Sequence, residues 1–136
     1  MNLAACVVII GFAIFLFGLT TIVFARPVLA ERFFRGFASS ARTHIAEQLL
    51  RLLVGLALVV RSPDMSRSAL FAVIGWALVA SATALLICPW RWHYQLGVRV
   101  IPKVVRHMRI YAVGMFAFGT LLIYGLFMPF LAAHGG

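Results

Sequence analysis

Leu3 to Phe24 is a run of twenty-two residues without a charge, Ser68 to Cys88 a run of twenty-one, and Ile110 to Met128 one of nineteen. Nothing else in the chain restricts its fold so strongly. About 20 apolar residues is the length an α-helix needs to cross the roughly 30 Å hydrocarbon layer of a bilayer. In that solvent each backbone N–H and C=O must be paired inside the protein, and a continuous apolar run achieves this as a helix. Composition agrees, with a mean hydropathy of +1.06 and only 11% charged residues. A water-soluble domain carries about 25%. The expectation is an all-α integral membrane protein forming a single membrane domain over residues 1–136, held together by helix–helix seams.

A weaker run sets the number of crossings. Ile45 to Val60 has sixteen residues and contains Glu47 and Arg51. An arginine near the middle of a membrane helix costs about 2.5–3.5 kcal/mol. Glu47 precedes Arg51 by four residues, the favoured order for a helical ion pair, and Arg51 can snorkel back toward the boundary. Charge counting is the stronger argument. If this run did not cross, seven basic residues (Arg26 to Arg67) would face one side and five (Arg91 to Arg109) the other. If it crosses, nine lie on one side and two, Arg61 and Arg67, on the other. Positive charge concentrates in cytoplasmic loops, so the second arrangement is expected. It gives four transmembrane helices, near 3–24, 43–60, 68–88 and 102–128, with basic cytoplasmic loops at 25–42 and 89–109. Both termini are then periplasmic.

The net charge of +9 accordingly reads as topology control and attraction to anionic lipids. Nucleic acid is not an expected partner, because the basic residues sit between apolar spans. Eleven of the twelve are arginine, which hints at a GC-rich bacterial source and hence the bacterial cytoplasmic membrane. Nothing before Leu3 is basic, so the first span is expected to be a retained anchor rather than a signal peptide. Cys6 and Cys88 fall at opposite ends of their spans and so face opposite leaflets; no disulfide is expected, and both are read as buried small apolar residues.

Within the first span Ala4, Gly11, Gly18 and Ala25 recur every seven residues, a stripe that lets another helix approach closely. Glycine is also simply common in membrane helices, which is the plainer reading. Residues 27–42 place Leu29, Ala30, Phe33, Phe34, Phe37, Ala38 and Ala41 at helical spacing, with Glu31, Arg32, Arg35, Ser39 and Arg42 off that face. An interfacial amphipathic helix between helices 1 and 2 is expected, opened by Pro27. In the third span Ser68, Ala72, Gly75, Val79 and Ala82 form a second small-residue seam, with Ser66 as the expected cap.

The segment 89–109 carries an aromatic belt of Trp90, Trp92 and Tyr94. Ile101, Val104, Val105 and Met108 share a helical face, with Lys103, Arg106 and Arg109 off it. The fourth helix is expected to begin near Pro102 and to stop at Pro129. Each half of the chain then runs span, proline, basic stretch, histidine (His44 or His107) and span, in the manner of a parallel tandem repeat.

Chemistry is sparse. His44 and His107 could sit at similar depth, as haem ligands must, but both neighbour arginines at an interface, where a solvated histidine is ordinary. Glu47 with Arg51 is the only intramembrane ionisable set, a functional suspect by default and equally a structural pair. The acidic residue that small multidrug exporters carry in their first span is absent, and Cys6 and Cys88 are not paired as in quinone-linked disulfide formers. No catalytic, metal or cofactor-binding residue is expected. The expected contacts to lipid or partner are Arg32, Phe33, Arg35, Phe37, Glu47, Arg51, Trp90, Arg91, Trp92, His93, Lys103 and Arg106. The expected role is a non-enzymatic accessory subunit of a larger membrane complex, respiratory or photosynthetic, with other membrane-protein subunits as partners. The alternative is a small homo-oligomeric transporter or channel using Glu47 and Arg51.

Overall fold

The computed structural model describes residues 2–36 and 39–135, and among these the secondary structure is helical with no strand. Four helices are long and apolar enough to cross a membrane: α1 (Leu3–Ala25), α3 (Ala41–Arg61, prolonged to Asp64 by a short 3-10 turn), α4 (Ser68–Ile87) and α6 (Met108–His134). They are the make-up of a multi-pass membrane protein. Two shorter amphipathic helices, α2 (Pro27–Gly36) and α5 (Trp90–Arg106), each link two long ones. The expected contact Phe37 lies outside the described residues.

Local chemistry explains the helix starts. Asn2 Oδ1 accepts from the Ala5 N–H at 3.3 Å and caps α1. Ser40 caps α3 through a reciprocal box: its hydroxyl accepts from the Thr43 N–H at 3.2 Å, while Thr43 Oγ1 accepts from the Ser40 N–H at 3.0 Å. That cap starts the second span at Ala41, earlier than hydropathy alone suggests. Its 21 residues are about 31 Å long, enough for a crossing.

Among the long helices α3–α4 and α1–α6 are the most extensively packed pairs, α1 and α3 join them, and Phe71 of α4 reaches Gly125 of α6. Glycines set how closely they pack. A Cβ placed on Gly75 would come within 2.9 Å of the Val59 backbone nitrogen and 3.0 Å of the Gly55 carbonyl oxygen, so α3 and α4 touch backbone to backbone. On the other side Gly119 of α6 accommodates the Phe17 ring of α1. Thr20 Oγ1 adds a polar tie, donating to Leu16 O at 2.9 Å and across to Ala112 O at 3.2 Å. The buried core runs through Ile9, Ala13, Leu58, Phe71 and Leu122.

At one end of the helices, hereafter the turn end, Leu3, Arg61, Asp64 and Phe130 border one cleft, bringing the start of α1 and the last turns of α6 beside the turn after α3. Here two expectations fail together. Pro129 does not stop α6, which continues to His134. Proline lacks an N–H, so the carbonyl four residues earlier, that of Gly125, loses its helical donor. The Ser66 N–H donates to that carbonyl at 2.9 Å instead. Ser66 is therefore a strap onto α6 and not the cap of α4. The residue at the N-cap of α4 is Arg67, left-handed at φ 60°.

At the other end α2 and α5 meet. The segment at 89–109 is a seventeen-residue helix, and Pro102 lies inside it instead of opening the fourth span. The chain breaks at His107 and α6 starts at Met108. The expected face survives the change: Ile101, Val104, Val105 and Met108 are partly covered, whereas Lys103, Arg106 and Arg109 are exposed. Helix α2 folds back along α1. Ala30 is buried with Val23 and Ala112, and the Phe33 ring lies 6.2 Å from that of Phe15. Phe15 is ten residues, about 15 Å, before the end of α1.

Candidate functional site

The polar residues inside the apolar part gather near the α2–α5 end of α3. His44, Glu47, Gln48 and Arg51 follow at i, i+3, i+4 and i+7, which puts them on one stripe of the helix. Arg51 donates to Glu47 Oε1 at 3.1 Å, the pair that the spacing predicts. Helix α5 brings in His93, whose Nε2 is 3.5 Å from Glu47 Oε2. Its ring lies against that of His44 with centroids 4.6 Å apart. His44 Nε2 is 3.1 Å from the Leu85 carbonyl of α4; a carbonyl only accepts, so Nε2 carries the hydrogen. Three helices thus converge on five polar side chains.

Hydrogen bonding there is incomplete. Gln48 is wholly buried and, among the described residues, neither amide atom has a hydrogen-bond partner; the same holds for His44 Nδ1 and His93 Nδ1, while Glu47 Oε2 has only the 3.5 Å approach of His93. A buried polar group left unpaired costs about 1–3 kcal/mol. The cluster therefore costs the fold stability unless water or another molecule completes it. Among the described residues no group of three or more His, Cys, Asp or Glu side chains is placed to hold a metal ion.

The other expected contacts divide between the two short helices. On α2, Arg35 is held by Glu31 at 2.8 Å, and Arg32 and Phe33 border clefts beside α1 and α3. On α5, Trp90 stacks edge-on with Tyr94 at 5.9 Å, Trp92 is 69% exposed, and Arg91, Lys103 and Arg106 are exposed. His93 alone of that helix reaches the polar cluster. A cleft of about 310 Å³ separates α5 from α2 and α3, walled by Phe34, Glu47, His93, Leu96 and Val100 among others.

Sequence reasoning paired His44 with His107. The structure pairs it with His93, and His107 Nδ1 instead lies 3.0 Å from the Lys103 carbonyl one turn back. Gln48 was missed altogether. The signal was present in the 44, 47, 48, 51 spacing, which is a polar stripe in an otherwise apolar span. Comparison with protein-family models, curated proteins and solved structures gives no match to this chain.

Proposed function

We propose that this chain is a small, non-enzymatic accessory subunit of a larger complex in the bacterial cytoplasmic membrane, a respiratory or photosynthetic assembly. One observation carries the reading. Ala4, Gly11, Gly18 and Ala25 all face outward, and so do Val7, Ile14 and Thr21, which fall three residues after the first three of them. A Cβ on Gly11 or Gly18 would meet nothing within 4 Å. Small residues at one heptad position and β-branched residues at the next make a seam along which a second helix packs closely. Among the described residues no helix fills that seam, although α2 comes close enough for Gly18 to border the cleft between α1 and α2. Its partners are other membrane-protein subunits, with anionic lipids around the basic segments.

The orientation proposed with it puts α2 and α5 at the cytoplasmic face, where nine basic residues meet anionic headgroups, and both termini in the periplasm. The amphipathic helices then lie at the inner boundary, their aromatic and aliphatic faces in the acyl region. Gentle detergent extraction from native membranes followed by native mass spectrometry tests the role. A defined hetero-complex is expected; recovery of a lone monomer overturns it.

A second reading is favoured by the polar cluster. A small homo-oligomeric transporter or channel would use Glu47, with Arg51 and the two histidines, as an intramembrane charge site. The Gln48 amide and the Nδ1 atoms of His44 and His93, which have no hydrogen-bond partner among the described residues, are what such a path would hydrate. Transport and proton coupling unchanged by Glu47→Gln in reconstituted vesicles would remove this reading.

A further inference from the structure

Helix α2 carries two arginines of different standing. Arg35 has Glu31, the helix's one acidic residue, at 2.8 Å. Arg32 is exposed, and among the described residues no hydrogen bond or ion pair engages it. Because α2 turns back along α1, Arg32 is set beside side chains that belong to the apolar spans. An arginine there requires an anion or a route back to the headgroups.

Two apolar clefts adjoin it. The first, of about 510 Å³, runs between α1 and α2 past Gly18, Leu19, Ile22 and Leu29. The second, of about 470 Å³, runs toward α3 past Thr43, Ala46 and Leu50. Phe15, Arg32 and Phe33 border both. Both are open along their length, the shape of a surface groove that an acyl chain can lie in. Glu47 also walls the second cleft, but its Oε1 is taken by Arg51. The pattern is one unpaired guanidinium where two apolar channels join.

We infer that Arg32 and its two flanking clefts bind one molecule of a two-chain anionic phospholipid, the phosphate on the guanidinium and one acyl chain in each cleft. The guanidinium fork suits phosphate oxygens, and the net charge of +9 favours an anionic lipid over a zwitterionic one. Gly18 belongs to both the first cleft and the outward seam of α1, so the lipid would lie at the edge of the proposed partner interface. The inference rests on the membrane placement proposed above and not on the partner, because a single chain in detergent contains the whole site.

The test is native mass spectrometry of the purified full chain, titrated with phosphatidylglycerol or with phosphatidylcholine of the same acyl chains. One phosphatidylglycerol should bind with a preference of about fivefold, because phosphatidylcholine carries the same phosphate but adds a choline cation beside the guanidinium. Arg32→Gln should abolish the preference, while Arg35→Gln, which removes the same charge from the same helix, should keep it. Ala46→Phe, which fills the second cleft and leaves Arg32 in place, should weaken binding, as should replacing the lipid by its one-chain lyso form. Equal losses in Arg32→Gln and Arg35→Gln would reduce the effect to general electrostatics and overturn the site. Lyso-lipid binding as tight as the two-chain form would overturn the twin-cleft assignment. Thermal melts of each variant establish that it is folded, and Ala46→Phe with lyso-lipid decides the matter if Arg32→Gln is not. The partner subunit plays no part in any arm, so its absence would leave this result standing.

Discussion

The small-residue seam of α4 is closed and that of α1 is open. On α4, Gly75 and Ala82 are buried, and Gly75 meets Gly55 and Val59 of α3 through backbone atoms. On α1, Gly11 and Gly18 meet no atom at the place a side chain would take. The two look alike in the sequence, since small residues recur at helical spacing in both. What separates them is the neighbour each receives. The α3–α4 connection is a six-residue turn between two long helices, which forces them to lie side by side; α1 is led away through α2 before α3 begins. Connection length thus decides which seam the chain fills for itself. In a membrane, where helix association relies on close packing more than on expulsion of apolar surface, an unfilled seam is available to another helix.

The sharpest way to break this contrast is at Gly75. Gly75→Leu would drive a side chain into the backbone of α3 at Val59 and Gly55, so the two helices must separate. Overpacking of this kind costs about 1–3 kcal/mol, and contact with backbone puts the change at the upper end or beyond. Unfolding in detergent followed by helicity should show a large destabilisation, matched among the glycines of the long helices by a change at Gly125, where a Cβ would run into the buried Phe71 ring. An unchanged midpoint would mean that the close approach does not hold α4 in place.

Next in size is a paired test of the same contact. Gly55→Ala and Gly75→Ala should each cost about 1 kcal/mol or more, but the double variant less than their sum, because helices parted by the first methyl already make room for the second. The non-additivity should be about 0.5 kcal/mol or larger. Strict additivity would show that the two glycines relax independently.

A third change acts at the start of the closed seam and in the stabilising direction. Arg67 holds φ at 60°, a left-handed conformation that costs an L-residue about 1–2 kcal/mol relative to glycine. Arg67→Gly should raise stability by up to about 1 kcal/mol, the loosened unfolded chain offsetting part of the relief. A fall in the unfolding midpoint would show that the Arg67 side chain contributes more than its backbone costs.

How far this architecture is legible in the sequence follows from the range of each interaction. The first and third spans are evident because an uncharged run of such length has one low-cost structure in lipid. The weak second span follows from charge counting, and the structure runs α3 from the α2–α5 end to the turn end. Glu47 with Arg51 is legible because both lie on one helix four residues apart. Illegible features depend on residues distant in the chain. Pro129 is tolerated because Ser66 supplies the donor that the helix lacks, and nothing near Pro129 announces it. The His44–His93 contact exists because α5 is a helix lying against α3, whereas proximity to the spans had suggested His107. The fourth span starts later than expected because a proline five residues before the break at His107 can sit within a short helix as readily as at the head of a long one.

The smallest expected effect is the one that bears most on function. Gly11→Leu places a large apolar side chain where the lone chain has open space, so detergent stability of the isolated protein should stay within about 0.5 kcal/mol of the parent. The same substitution fills the seam that the proposed partner helix would occupy. In native membranes it should therefore abolish copurification of the partner, while Gly75→Leu would lose partner and fold together. Isolating the two outcomes distinguishes a seam built for packing inside the chain from one kept open for another. If Gly11→Leu lowered the stability of the isolated protein by as much as Gly75→Leu, α1 would be packed against something within this chain, and the open seam could no longer carry the accessory-subunit reading. If stability held and copurification also held, the partner would dock elsewhere, with the exposed Trp92 and the basic face of α5 the next surface to alter.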